Sequence, residues 1–465
     1  MCMNTETPKK ETKKKEKPIY VASLKHNDSI LECLYDENTE TTSFALYDGE
    51  QLTYTDRYSI NNTLYKPLIA KSDLLKKGVI LLPTKPIEYG SEEALVDEIQ
   101  AFIHEYLDIT PDFERIASYY VLFTWIYDRF HEVPYLRSIG DYGSGKTRFL
   151  RVIGSVCYKP IFTAGATTTS PIFRMLDQIH GTLVLDEADF RASDMTSDII
   201  KILNSGYTKG FPVLRSEGKG VFEVKTYDVF SPKIVATRET FRDQALESRF
   251  LVEQMGGKKL RKDIPSSLGD EFYEEALLLR NKLLMWRLKN HSKPIDLGRH
   301  TVPDTLHPRL KQIVLPLLSI IGSKEMRDAL TDFISSYNKD LVADRGMTWE
   351  AYILEAIVAL KHYGNDDMTM GDIARQIRES IDIEEDPLTP RKVGWYVRTR
   401  LQVKTRKQRG GYTLSYTLNK DKIEMLCERY GVEIEPSDND DVNDVNNVNI
   451  IKPLTEEEVR DSSPF

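Results

Sequence analysis

Eight consecutive residues, Gly140-Asp141-Tyr142-Gly143-Ser144-Gly145-Lys146-Thr147, set three glycines, a lysine and a hydroxyl in the spacing G-x-x-x-x-G-K-T. Glycines let backbone amides turn inward around a phosphate, a lysine bridges its outer oxygens, and the threonine hydroxyl can ligate Mg²⁺. The context suits that chemistry: apolar Pro134 to Ile139 reads as a strand before the loop, and Phe149, Leu150, Val152 and Ile153 mark a helix after it. A second apolar strand, Thr182 to Leu185, ends in Asp186-Glu187, forty residues after Lys146. Hydrolysis of ATP needs such a carboxylate pair. Asp186 would hold Mg²⁺ through water, and Glu187 would orient and polarise the attacking water. Gly140, Asp141, Tyr142, Gly143, Ser144, Gly145, Lys146, Thr147 and Asp186 are therefore the expected ATP-binding residues, with Thr147 and Asp186 as metal ligands.

A third strand, Lys233 to Ala236, delivers Thr237-Arg238 at its end, and twelve residues on lies Ala245-Leu246-Glu247-Ser248-Arg249-Phe250. Thr237 can touch the γ-phosphate or position the lytic water, the task called sensor 1; a plain strand-terminal hydrogen bond competes. Arg249 can reach the γ-phosphate of a neighbouring subunit as a finger, which is worth ~10³ to 10⁵ in rate; a salt bridge competes.

The order from phosphate loop through Asp186-Glu187 to Thr237 and Ser248-Arg249-Phe250 resembles the AAA+ ATPases among the helicases of phages and mobile elements. Leu246 to Phe250 is similar to the arginine-finger motif of minichromosome maintenance helicases. The blocks Leu203-Asn204-Ser205-Gly206-Tyr207 and Ser231-Pro232-Lys233 also look like the mobile-element group. The likeness covers about residues 115 to 255 by motif and the C-terminus by architecture alone. It implies ATP and Mg²⁺ as cofactors, a ring, most simply a hexamer, and a sensor 2 arginine from the lid, for which Arg309 is the candidate. Where asparagine is usual as sensor 1, this chain has Thr237. The letters Asp-Glu-Ala-Asp at 186 to 189 invite a DEAD-box reading, but no second RecA-like lobe follows.

Two elements suit DNA. Residues 211 to 230 read as a hairpin turning at Glu217-Gly218-Lys219-Gly220; by resemblance it projects into a ring channel, where Lys219 would meet phosphates, and an ordinary surface hairpin is the alternative. Farther on, the order of helices and strands from Thr348 to Tyr430 is that of a winged helix. Thr389-Pro390 supplies an N-cap and first helical residue. Val393, Val397 and Leu401 then face inward, while Arg391, Trp395 and Arg398 take another face. Between Leu388 and Gly411 stand eight basic residues and no acidic one, a footprint for phosphates or a basic surface for protein contacts. Arg391, Lys392, Arg398, Arg406, Lys407 and Arg409 are the expected DNA contacts.

The remaining composition sets the frame. The chain has 465 residues and a formal net charge of −9. Residues 433 to 465 alone carry −8, so the rest is near neutral and its basic patches stand on their own. Residues 1 to 17 are lysine-rich with no apolar core behind them, a solvated tail or an import signal, and not a secretory leader. Four scattered cysteines without a C-x-x-C pair suit a reducing cytoplasm. The longest apolar runs are too short to cross a bilayer, which takes ~20 residues.

The expected fold class is α/β: a β-rich domain over 18–90, an AAA+ P-loop core with preceding helices over 91–255, a helical lid over 256–345 and a winged helix over 346–432. An acidic tail over 433–465 ends in Ser462-Ser463-Pro464-Phe465, similar to the tip of bacterial single-stranded-DNA-binding proteins that docks replication partners. The function this implies is an ATP-dependent DNA helicase or translocase; an AAA+ initiator or helicase loader that does not unwind is the alternative.

Overall fold

The computed structural model describes residues 17–165, 167–186, 194–217, 223–241, 243–256, 259–295, 306, 308–346, 349–380, 388–408 and 411–434. Among the expected features, the basic tail, Glu187, Lys219, Arg409, the side chain of Arg309 and the acidic tail from 435 onward lie outside the described residues. The chain forms two compact units, Met1–Asn338 and Lys339–Phe465.

The first unit is built on five parallel strands: β1 (Tyr135–Ile139), β2 (Ile161–Thr163), β3 (Leu183–Leu185), β4 (Lys233–Thr237) and β5 (Phe250–Gln254), in the order β5-β1-β4-β3-β2. β1, β3 and β4 match the apolar runs read from the sequence. The short β2 and the charged β5 carry no comparable signal. Both faces of a parallel sheet must be covered, so its strands read as continuous apolar runs rather than alternating ones. Helix α1 (Glu92–Tyr106) starts at an N-cap where Ser91 Oγ accepts from Ala94 N at 3.1 Å. Helix α2 (Pro111–Thr124) opens with proline, and helix α3 (Lys146–Val156) follows the phosphate loop. Helix α4 (Asp270–Asn290) shares one apolar core with α1, α2 and α3, through residues such as Phe272, Leu283, Ile99, Phe123 and Phe149.

The N-terminal strands do not stand apart from this core. Ser29–Asp36 is buried on both faces: Ile30 and Leu34 enter the core that holds α1 to α4, while Leu31 and Cys33 join Ile161, Phe173, Leu176 and Leu183. The expected boundaries at 90 and 255 thus separate no compact bodies. The physical reason lies in Glu32, on the same strand and 1 % exposed. It pairs with Lys159 Nζ at 2.9 Å, just past α3, and accepts from Arg287 Nε of α4 at 2.7 Å and from Tyr158 Oη at 2.9 Å. Arg287 also forks onto Asp128, to which His291 bonds at 2.7 Å. One carboxylate therefore ties the β-rich segment, the core and α4.

The second unit has its own core. Its helices Trp349–His362, Met370–Ser380 and Pro390–Trp395, the last running on as a π-turn over Tyr396–Arg400, pack with the helix Lys420–Tyr430 and a three-stranded antiparallel sheet. That sheet joins Arg406–Gln408 and Gly411–Ser415 to a strand the sequence reading lacked, Asp367–Thr369. Val393, Val397 and Leu401 are buried as expected from their spacing. No described helix is long and apolar enough to cross a membrane.

Burial pushes against ionisation of Glu32, but the Lys159 ammonium and Arg287 guanidinium outweigh it and hold the carboxyl below its ordinary range. A carboxyl depressed in this way stabilises the fold above its unfolded pKa of ~4.3, and the contribution is lost as pH falls through the lower folded value. Glu32→Gln leaves two cations facing a neutral amide; removing one partner of a buried pair costs about 3–5 kcal/mol. Urea unfolding at pH 7 is expected to show that loss. The gap between wild type and variant should close as the pH drops below about 4.

Candidate active site

The phosphate loop leaves β1 at Gly140, where the chain is tightly pinned. A Cβ at this residue would sit 2.5 Å from the carbonyl oxygen of Met255, so only glycine fits. Gly143 and Gly145 adopt φ of +76° and +96°, the left-handed region that other residues avoid. Gly145 is the N-cap of α3, and the amides of the first turn have no intrahelical acceptor. They face a cleft of about 360 Å³ lined by residues 142 to 148, Asp186, Ala236 and Arg238, within the range of small-molecule sites.

Lys146 Nζ donates to the carbonyls of Gly140 and Asp141, both at 2.6 Å, which holds the ammonium over the loop. Thr147 Oγ1 donates to Asp186 Oδ2 at 3.0 Å. Oxygens on adjacent corners of an octahedral Mg²⁺ with bonds of ~2.05 Å lie roughly 2.9 Å apart. The hydroxyl and carboxylate are thus spaced to serve one cation, or a water bound to it, and the residues present fit ATP with Mg²⁺. Ser144 Oγ is buried in the loop and makes no hydrogen bond. Tyr142 stands 93 % exposed at the cleft's rim.

Sheet order decides what else reaches the cleft. β4 lies between β1 and β3, so its end abuts both the loop and Asp186, and Gly140 N donates to Thr237 O at 3.3 Å. Side chains alternate across a sheet. Ala236 and Arg238 line the cleft, whereas Thr237 does not, and its hydroxyl is buried without a hydrogen bond. Thr237 meets the loop through its carbonyl. Arg238, directly after β4, does line the cleft, and the apolar run of the strand carries no signal for it.

Arg249 is also placed differently from expectation. Its residue is only 7 % exposed, and the guanidinium lies over the Tyr207 ring at 4.1 Å. It is packed against its own chain. The three sequence blocks that carried the resemblance meet here. Asn204 Nδ2 donates to Asp243 at 2.9 Å, and Lys233 Nζ donates to the carbonyls of Gly206, Val229 and Ser231. Glu247 accepts both guanidinium arms of Arg137 on β1. Burial pushes the Lys233 ammonium well below the ordinary lysine range.

Arg148 links the cleft to the segment that leads into α4: it donates to the carbonyls of Pro265 and Ser266. Arg309 falls at the start of the helix Pro308–Ile320. The expected hairpin is present as Val213–Glu217 paired with Glu223–Tyr227. In the second unit, Arg391, Trp395 and Arg398 are exposed on one helix face, and Arg398 stacks on Tyr412 at 3.9 Å. Arg406 and Lys407 are exposed on the neighbouring strand, and Lys392 is partly covered, over Trp349 at 5.9 Å.

No family model matches the chain, and no curated protein matches it. Among solved structures it is similar to the NrS-1 C-terminal region, at 14 % identity and a TM-score of 0.34 over 82 % of this chain and 95 % of that one. It is also similar to the helicase Cch of SCCmec type IV, at 11 % and 0.38 over 88 % and 81 %. With the JCV helicase the values are 14 % and 0.25 over 59 % and 66 %. At these TM-scores the likenesses carry no weight, and the chemistry rests on the cleft itself.

If Thr147 helps to hold the metal, Thr147→Ala should weaken Mg²⁺-dependent nucleotide binding by at least the ~10-fold that a lost outer partner costs. Binding in excess chelator should stay unchanged. Titration of a fluorescent nucleotide with and without Mg²⁺ separates the two conditions.

Proposed function

We propose that this chain is an AAA+ ATPase that works on DNA as a helicase or translocase in the replication of a phage or mobile element. The observation that carries the reading is the meeting, in one cleft, of the phosphate loop with Asp186, whose carboxylate lies 3.0 Å from the Thr147 hydroxyl.

In this reading the amides at the start of α3 and Lys146 hold the phosphates, and Thr147 and Asp186 hold Mg²⁺. The ion, when bound, neutralises charge that develops on the phosphate oxygens. Glu187 follows Asp186 directly and would orient the attacking water. Arg148 is placed to pass closure of the cleft to α4 through the 265–266 carbonyls. The second unit is read as a winged helix, its exposed Arg391 and Arg398 flanking Trp395, with Arg406 and Lys407 on the adjoining strand; Arg409 is proposed as a further DNA contact. Lys219 would touch a threaded strand. The acidic C-terminal residues are proposed to dock replication partners.

A ring, most simply a hexamer, belongs to the proposal only if Arg249 leaves Tyr207 when subunits assemble. Its position inside its own chain favours a second reading, an initiator or loader that gains turnover only on contact with its target. Sedimentation with ATP tests the ring: a species that stays monomeric with DNA and ATP removes it.

ATP turnover with and without single-stranded and duplex DNA tests the motor, with Lys146→Ala as the variant that loses nucleotide binding. Glu187→Gln should keep binding and lose turnover by ~10² to 10⁴-fold. DNA-stimulated turnover with strand displacement supports a helicase; turnover without displacement supports the loader. Arg391→Ala with Arg398→Ala should weaken binding across sequences and flatten the slope of log affinity against log salt by about two, read by fluorescence anisotropy.

A further inference from the structure

Of the four tryptophans in the chain, Trp125 and Trp286 are buried and Trp349 is partly covered, but Trp395 stands 49 % exposed at the end of the helix Pro390–Trp395. The Tyr396 ring meets its indole nearly at right angles, with centroids 5.0 Å apart, which steadies a ring that otherwise faces solvent. Past this point the helix widens: Leu401 N donates to Tyr396 O, five residues back, at 2.9 Å, closing the π-turn over Tyr396–Arg400. Such turns are rare and concentrate at functional sites. Two arginines of the turn have different partners. Arg400 is taken by Glu350 at 2.9 Å, whereas the Arg398 guanidinium lies over the Tyr412 ring at 3.9 Å, a stacking distance. Tyr412 is directly opposite Lys407 in the antiparallel pair, so the two side chains share one face of the sheet.

Resting on the DNA-binding reading above, we propose that Trp395 and the Arg398–Tyr412 pair form a stacking platform for unpaired bases, so that the second unit takes single-stranded DNA in preference to duplex. In a duplex the base faces are hidden in the stack, and a protein reads base edges in the grooves, most often with an arginine extended toward guanine. An indole offers such edges one donor and no acceptor, and Arg398 is folded onto Tyr412 rather than extended. An unpaired strand presents open base faces, and these stack both on aromatic rings and on guanidinium planes. The charge around the platform suits the same ligand. No acidic residue stands between Leu388 and Gly411. Exposed Arg391 lies one helical turn before Trp395, and exposed Arg406 and Lys407 lie on the strand paired with that of Tyr412. These cations flank the rings on both sides, where the phosphates on either side of a stacked base need them.

The distinguishing experiment titrates the full chain, without nucleotide, into labelled oligothymidylate, its duplex with oligoadenylate, and a strand of the same length that lacks bases, in wild type, Trp395→Ala and Trp395→Phe. Trp395→Ala should lose about 5- to 150-fold in affinity for oligothymidylate, the worth of one stacked base, and less than about twofold for the duplex, with unchanged thermal unfolding showing that the variant is folded. Trp395→Phe keeps a ring and should keep most of the affinity. The slope of log affinity against log salt should be the same in wild type and Trp395→Ala, because no phosphate contact is removed. The strand without bases, equal in charge, should not distinguish the two. Equal losses on single strand and duplex, no loss on the single strand, or a Phe variant no better than the Ala variant would overturn the proposal. A strand carrying 5-iodouracil locates the stack: on irradiation it should crosslink to the peptide that holds Trp395 or Tyr412, and crosslinks confined to other peptides also overturn it. Should wild type bind neither form of DNA, the DNA reading itself fails; should wild type bind the single strand and Trp395→Ala match it, only the platform is lost.

Discussion

Glu32 sits in the middle of a strand otherwise buried among apolar residues, and its carboxylate is reached by Lys159, Tyr158 and Arg287. Removing the carboxylate would leave Lys159 and Arg287 dehydrated and short of an anion, so the three segments that contribute these residues are tied together. Strand Ser29–Asp36, the end of the phosphate-loop helix and α4 meet at this point. The consequence is geometric: α4, whose approach segment is held by Arg148, is fixed relative to the sheet from which the phosphate loop springs.

The cleft shows a second constraint, the insertion of β4 between β1 and β3. Strands adjacent in a parallel sheet deliver their C-terminal ends to one edge, and loops leaving that edge are where ligands bind in open α/β sheets. Here the order brings Gly140, Arg238 and Asp186 to one rim although they are far apart in the chain. The polar groups of the rim are already held in place by the fold: the lysine rests on loop carbonyls and the Thr147 hydroxyl on Asp186.

The three motif blocks singled out in the sequence lie outside the residues that line the cleft. They form a buried junction in which Asn204 meets Asp243, Lys233 meets Gly206 and Arg249 lies over Tyr207. These contacts hold the starts of β4 and β5 in place. The sequence cannot distinguish an arginine packed on its own tyrosine from one offered to a neighbour, since both ask for the same residue at the same spacing.

The local features were legible in the residues alone. Apolar runs marked β1, β3 and β4; helical spacing marked α1, α2 and α4; and the G-x-x-x-x-G-K-T loop with Asp186 marked residues that line one cleft, because each depends on a short-range pattern. Val393, Val397 and Leu401 announced the inward face of their helix for the same reason. What only the tertiary structure decided depends on neighbours remote in sequence. The β-rich segment joins the core through a carboxylate with partners more than a hundred residues away. Strand pleating turns Thr237 into the interior and Arg238 to the cleft. Packing on Tyr207 buries Arg249, whose charge alone would have placed it in solvent.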